Sequence, residues 1–276
     1  MRARETALVA AREVREAMRS RWLLLATASF FALSLGVSAL GLAGSRRAGL
    51  AGFDRTAASL LDLVILFVPL VTLALGGLSI AGELEDGSLS MLLSQPVTRA
   101  EVYAGKFAGT LSAVWMAILA GFGTTGAIVG FYAGGDARAF LALVSVTLLL
   151  AAATLAIGTL LSTLLRSRAR VVGAAFTTWL VLVYGSDLGT IGLAIARDLG
   201  PGRVFLLAML NPVQQARVLG TLVLTRRVEV LGPVGIFGLD HFGTVGLEVL
   251  LVSTLAALVV IPLLTGFRLF RREAIP

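Results

Sequence analysis

The chain has 276 residues, 57% hydrophobic and 14% charged, with a mean hydropathy of +0.93. A soluble domain carries about a quarter charged residues, so this composition excludes a water-facing surface and points to a bilayer. The net charge of +7 rests on arginines and one lysine set between apolar runs, which report membrane topology rather than nucleic-acid binding, and the lack of cysteine excludes disulfides and thiol chemistry.

In residues 1–21, Leu8, Ala11, Val14 and Met18 recur at helical spacing while Arg12, Arg15 and Arg19 mark another face. This pattern predicts a helix lying at a membrane surface with its arginines among lipid phosphates. The apolar run from Trp22 to Gly41-Leu42-Ala43 has the outline of a signal peptide. Its basic leader is too long and the run spans a full bilayer, so a retained helix is expected.

Six apolar runs follow: Trp22–Ala43, Leu60–Ala81, Phe107–Tyr132, Ala139–Leu165, Val171–Ile195 and Val245–Phe267. Each is long enough to cover a ~30 Å hydrocarbon core at 1.5 Å per residue. The expected fold is an all-α integral membrane protein, one transmembrane domain over 1–276 with six spans and both ends on one side. That side receives fourteen basic residues, including Arg166, Arg168, Arg170, Arg268, Arg271 and Arg272, against nine on the other. Both termini are therefore expected in the cytoplasm, and the chain in the cell's inner membrane. In the outer segment 196–245, Val204–Leu210 and Val218–Leu224 are apolar but too short to span. They are expected as re-entrant, surface-lying or buried helices, broken at Asn211-Pro212 and Gly232-Pro233.

The most informative stretch is the loop 83–106 between the second and third spans. Ser88 is placed to N-cap a short helix. Glu83, Glu85 and Asp86 precede it, where a helix N-terminus favours negative charge. Leu89, Leu92 and Leu93 form an apolar stripe, available to a headgroup layer or to a partner's groove, and Pro96 ends the turn. Thr98 and Glu101 then have capping-box spacing, with Val97 and Val102 where a hydrophobic staple packs. Gly105 and Gly109, then Gly126 and Gly130, permit close helix contact, expected within one subunit.

Glu-x-Glu-x-Gly-Ser-Leu at 83–89, Leu-Leu-Ser-x-Pro-Val-Thr-Arg at 92–99 and Gly105-Lys106 together resemble the permeases of ABC-2-type ATP-driven transporters. The resemblance implies that this segment is a coupling helix docking into a separate ATP-binding subunit, with Glu83, Glu85, Gly87, Ser88, Leu89, Leu92, Leu93, Pro96, Arg99 and Lys106 in that role. It implies pairing with a second copy, and ATP and Mg²⁺ bound by the partner subunit. Arg12-Glu13, Arg21-Trp22-Leu23-Leu24, Leu210-Asn211-Pro212 and Phe270-Arg271-Arg272 make the layout similar to permeases of nitrous-oxide-reductase maturation systems. That likeness implies a role in copper or sulfur supply and a periplasmic accessory protein. The loop at Ser94–Arg99 and the stretch Val213-Gln214-Gln215 depart from that subgroup.

The nearest approach to a phosphate-cradling loop, Ala100 to Phe107, lacks its first glycine and the hydroxyl for Mg²⁺. The one histidine, His241, lies in the outer segment, and Met116 and Met209 are isolated. No catalytic site, cofactor or metal site is therefore expected in this chain. Asp62, Asp187 and Glu248 fall within predicted spans near the outer face, and either border an outer vestibule between two copies or are ordinary interface residues. A membrane scaffold recruiting a cytosolic partner and a secondary transporter are the alternative functions, though broken mid-membrane helices that would mark the second are sparse.

Overall fold

In a computed structural model, residues 3–48, 52–133, 137–185, 200–225 and 232–272 are described, and among them every regular element is helical. In chain order these are α1 (Ala3–Arg19), α2 (Arg21–Ala48), α3 (Gly52–Glu85), α4 (Ser88–Leu93), α5 (Arg99–Ala133), α6 (Ala137–Leu165) and α7 (Arg168–Leu180). A π-helical turn continues α7 over Val181–Gly185. Then come α8 (Pro201–Ala208), α9 (Pro212–Thr225) and α10 (Gly232–Arg272).

Among the described residues, five helices are long and apolar enough to cross a bilayer: α2, α3, α5, α6 and α10. The predicted span Val171–Ile195 begins as α7, but residues 186–199 lie outside the described residues. The predicted boundaries fall short at α3 and α5, which have 34 and 35 residues. These are ~51 and ~52 Å long, well beyond a ~30 Å hydrocarbon core. Phe30 of α2 packs against Phe67 of α3 and Phe122 of α5, with ring centroids 5.8 and 5.6 Å apart. Counting rise from that level, α3 and α5 run past the start of α2 by ~13 and ~20 Å. Their overhanging ends, with α1 and α4, form a platform beyond the apolar bundle.

Helix α6 is the centre of the bundle. It is apolar all round, as a helix enclosed by others must be, and Leu143, Leu150, Ala151, Ala153 and Leu155 are fully buried. Its closest neighbour is α3. A Cβ at Gly76 would lie 2.5 Å from the Leu155 carbonyl oxygen, and one at Gly158 would lie 2.6 Å from that of Leu73. The two backbones meet directly, which only paired glycines allow. The Thr72 and Thr154 hydroxyls share a 2.6 Å hydrogen bond across the same seam.

Both short apolar segments of 196–245 are helical. Helix α9 is not surface-lying: Val213, Ala216 and Leu219 are buried against α3, α6 and α10. Asn211 sets its start, accepting from the Val213 N–H at 2.8 Å and donating Nδ2–H to the Leu182 carbonyl in the π turn at 2.7 Å. The Gln215 amide donates to the Met209 carbonyl, and its oxygen accepts from Thr254 of α10. Helix α10 is kinked at Gly243, whose φ is 70°. The kink separates a first helical piece from the membrane span expected from Val245.

Candidate functional site at the α4 corner

The site forms where α3 ends. A helix C-terminus carries partial negative charge, yet its last turn here holds Glu83 and Glu85. The carboxylates therefore do not support the start of α4 as expected from sequence; they need cations from elsewhere, and two arrive from opposite sides. Lys106 of α5, 1% exposed, places Nζ 2.5 Å from Glu13 Oε1 of α1 and 2.9 Å from Glu83 Oε1. Arg12 adds a longer 3.9 Å approach to Glu83 while pairing with Glu16 at 2.7 Å. On the other side, the Arg168 backbone N–H at the start of α7 donates to Glu85 at 2.7 Å. The Arg168 guanidinium donates to the Gly82 carbonyl at 3.1 Å and also to Asp86. It thus adds a second donor to a carbonyl in the last turn of α3 that already accepts from the Asp86 N–H at 3.1 Å. Arg166, with φ at 55°, makes the tight turn that delivers α7 there.

Burial pushes the Glu13 carboxyl up from its ordinary range, against the opposing charge and hydrogen bond of Lys106, with Glu83 adding like-charge repulsion. Arg12 is raised by its hydrogen bond to Glu16. The carboxylates of Glu13, Glu16 and Glu83 converge within 4.8 Å. Lys106 and Arg12 meet their charge.

The turn from α3 to α4 uses only Asp86 and Gly87. Gly87 takes a left-handed conformation, φ 75°, and is the N-cap; Ser88 is instead the first helical residue, with its hydroxyl donating back to the Glu83 carbonyl. Two residues leave no extended position for a serine cap, and glycine accepts positive φ without a Cβ clash. The stripe on α4 also points differently from the expectation of a free apolar face. Leu89 and Leu92 are 0% and 5% exposed, packed with Ile80, Val102, Tyr103 and Phe270, and Leu93 is half-buried beside them. A six-residue helix has too little internal stability to stand alone, so it spends its apolar face on the chain's own platform. The outward edge is Ser90, Met91, Ser94, Gln95 and Pro96, with Met91 74% exposed.

The second helix start matches its sequence signature. The Thr98 N–H donates to Glu101 at 2.9 Å and the Glu101 N–H to Thr98 Oγ1 at 3.3 Å, while Val97 and Val102 join one apolar cluster. Arg99 opens α5 half-buried. Helix α1 then lies on the start of α5. A Cβ at Gly105 would be 2.7 Å from Val9 Cβ, and one at Gly109 2.5 Å from Glu13 Cβ, so these glycines serve packing within the chain as expected. Gly126 does the same against Phe140; the surroundings of Gly130 lie outside the described residues. Of the predicted amphipathic face of α1, Leu8 and Met18 stay exposed, while Val9 and Glu13 turn inward.

The ten residues of the predicted site are thus one contiguous corner, but with divided parts. Gly87 and Pro96 are outside, Leu89, Leu92 and Lys106 inside, and Glu83 and Glu85 tie it to neighbouring helices. Glu13 and Arg168 complete the corner although neither belongs to the predicted site; the one lysine of the chain, set after Gly105 at a helix contact, is the sequence signal of a buried anionic partner. Asp62 and Glu248 are not brought together within the chain. Asp62 is exposed on α3 and Glu248 half-buried on α10, helices that pack on α6 and α9 rather than closely on each other. Asp187 lies outside the described residues. His241 stacks on Phe237, centroids 3.9 Å apart, with Nδ1 2.9 Å from its carbonyl oxygen.

Residues 7–275 match the family model described as ABC-2 family transporter protein. The chain is 30% identical over 219 residues to the probable ABC transporter permease protein NosY of Stutzerimonas stutzeri, covering 76% of this chain and 79% of that one. It is 31% identical over 218 residues to the protein of the same description in Pseudomonas aeruginosa, with the same coverage. Five apolar helices and a match over almost the whole sequence agree: this multi-pass membrane chain belongs to the ABC-2 family of transporter proteins.

Proposed function

We propose that this chain is the permease subunit of an ATP-driven transporter, acting as a pair of copies, each docked through α4 to a separate ATP-binding subunit. Both termini and the platform face the cytoplasm, Val171–Ile195 supplies a sixth span, and α1 lies along the inner membrane surface. One observation carries the reading. The outward edge of α4 is free, while its roots enter α1, α3, α5, α7 and α10 through Lys106, Arg168 and the Leu89–Leu92–Phe270 cluster. Force applied at Met91 reaches five helices through buried or multiply bonded contacts, as a coupling element requires. Asp62, Asp187 and Glu248 would border an outer vestibule between copies. The likeness to NosY permeases favours a cargo linked to copper or sulfur supply, with a periplasmic accessory protein receiving it.

Co-expression with an ATP-binding subunit from the same organism tests this. The two should co-purify, and substituting Met91 by Glu should release the ATPase or change its ATP hydrolysis. Intact docking with unaltered hydrolysis would leave a non-transporting scaffold or a secondary transporter as the better account.

A further inference from the structure

Between α2, α3 and α5 lies a narrow apolar crevice that is open to the surroundings. Leu23 and Phe30 of α2, Phe67 and Val71 of α3, and Val114 and Ile118 of α5 form its walls. Its polar groups are already engaged: the Thr27 hydroxyl donates to the Leu23 carbonyl, and Thr72 bonds to Thr154. The crevice thus offers only hydrocarbon contact. Beside it α2 presents Trp22, Leu24 and Leu25, all more than half exposed, an apolar face of the kind that meets lipid. A crevice beside such a face is open to an acyl chain.

Its lower end begins at Leu23, two residues after Arg21 opens α2, and Arg19 closes α1 across the corner at Ser20. Both arginines are exposed, and among the described residues neither forms an ion pair. The nearby charge pairs of α1 engage Arg12, Glu13 and Glu16 instead. Two guanidiniums where α2 leaves the platform, at the lower end of a narrow hydrocarbon slot, match the two ends of one molecule. Guanidinium forks hold phosphate oxygens bidentately, and each cationic residue near an anionic leaflet adds attraction.

We propose that this crevice is a specific site for an anionic diacyl phospholipid of the leaflet on the side of the termini, one acyl chain in the slot and the phosphate on Arg19 and Arg21. Bound there, the lipid pins α2 to α3 and α5 just above the α4 corner.

The test is native mass spectrometry of the full chain taken up from vesicles of equal phosphatidylglycerol and phosphatidylcholine. One phosphatidylglycerol per chain should be retained in preference, by roughly 5-fold per arginine and roughly 30-fold for the pair. Arg19→Gln with Arg21→Gln should bring the preference close to unity, while Arg4→Gln, at the far end of α1, leaves it unchanged. Ala117→Phe, which fills the slot, should remove retained lipid of both kinds. Equal retention of the two lipids by the unaltered chain, or an unchanged preference in the double variant, overturns the proposal. Unchanged retention in Ala117→Phe overturns the slot. The double variant alters only exposed side chains, so it decides the headgroup assignment even if Ala117→Phe does not fold.

Discussion

The Lys106 ammonium lies 2.5 Å from the Glu13 carboxylate, joining the N-terminal helix to the start of α5 across most of a hundred residues of sequence. Glu83 accepts from the same ammonium, so one buried cation holds α1, α3 and α5 together. Removing one member of a buried ionic group leaves an uncompensated charge. Lys106→Met should cost about 3–5 kcal/mol, seen as a lower melting temperature in detergent. Adding Glu13→Gln to it should recover part of the loss. Independent, additive losses would mean the groups do not act as a unit.

The same contact gives a pH dependence. Because burial raises the Glu13 carboxyl above its ordinary value of 4.5, there is a pH window just above 4.5 in which the folded chain holds a proton there that the unfolded chain has released. Its contribution to stability is fully present below the unfolded value and declines as pH rises through the folded one. The stability of the native chain relative to Glu13→Gln should therefore fall as pH increases from about 4.5. A difference that is flat or rises over that window contradicts the assignment.

The two faces of α4 should separate under mutation. Leu89→Ala and Leu92→Ala remove fully packed side chains and should each cost about 2–5 kcal/mol. Met91→Glu changes a largely exposed side chain and should stay within about 0.5 kcal/mol of the parent, yet impair docking of the ATPase. Thermal unfolding alongside a pull-down reads both at once. Equal destabilisation at 89 and 91 would mean that α4 is turned over.

At the opposite end, Asn211→Ala removes a helix cap and leaves the Leu182 carbonyl without its Nδ2–H donor. The expected loss is about 1–3 kcal/mol, measured by thermal denaturation. Asn211→Asp keeps the cap but not the donor and should fall between. No loss in Asn211→Ala would show that α9 is held by apolar packing alone.

What the sequence reveals follows from how far each interaction reaches along the chain. The Thr98–Glu101 capping box involves residues three apart and was legible to the atom. The apolar runs that became α2, α3, α5, α6 and α10 were legible as spans, because bilayer thickness sets a minimum run of apolar residues. The extra length of α3 and α5 was not, since their overhanging ends are stabilised by packing on α1 and α4 rather than by hydropathy. The periodicity of Leu89, Leu92 and Leu93 announced a helix with an apolar side, but periodicity carries no information on what that side meets. Phe270, which covers it, comes from the far end of the sequence. Lys106 stands out in the sequence as part of a motif but its burial does not, because Glu13 and Glu83 reach it only after three helices assemble.

The central claim is that Met91 and its neighbours meet an ATP-binding subunit while the leucines behind them do not. A photo-crosslinking side chain placed at position 91, in membranes that contain the co-expressed ATPase, tests it most directly. The account predicts a covalent adduct to the ATPase from position 91 and none from position 241 on the outer helix. Adducts only to lipid from position 91, or to the ATPase from position 241, would contradict it.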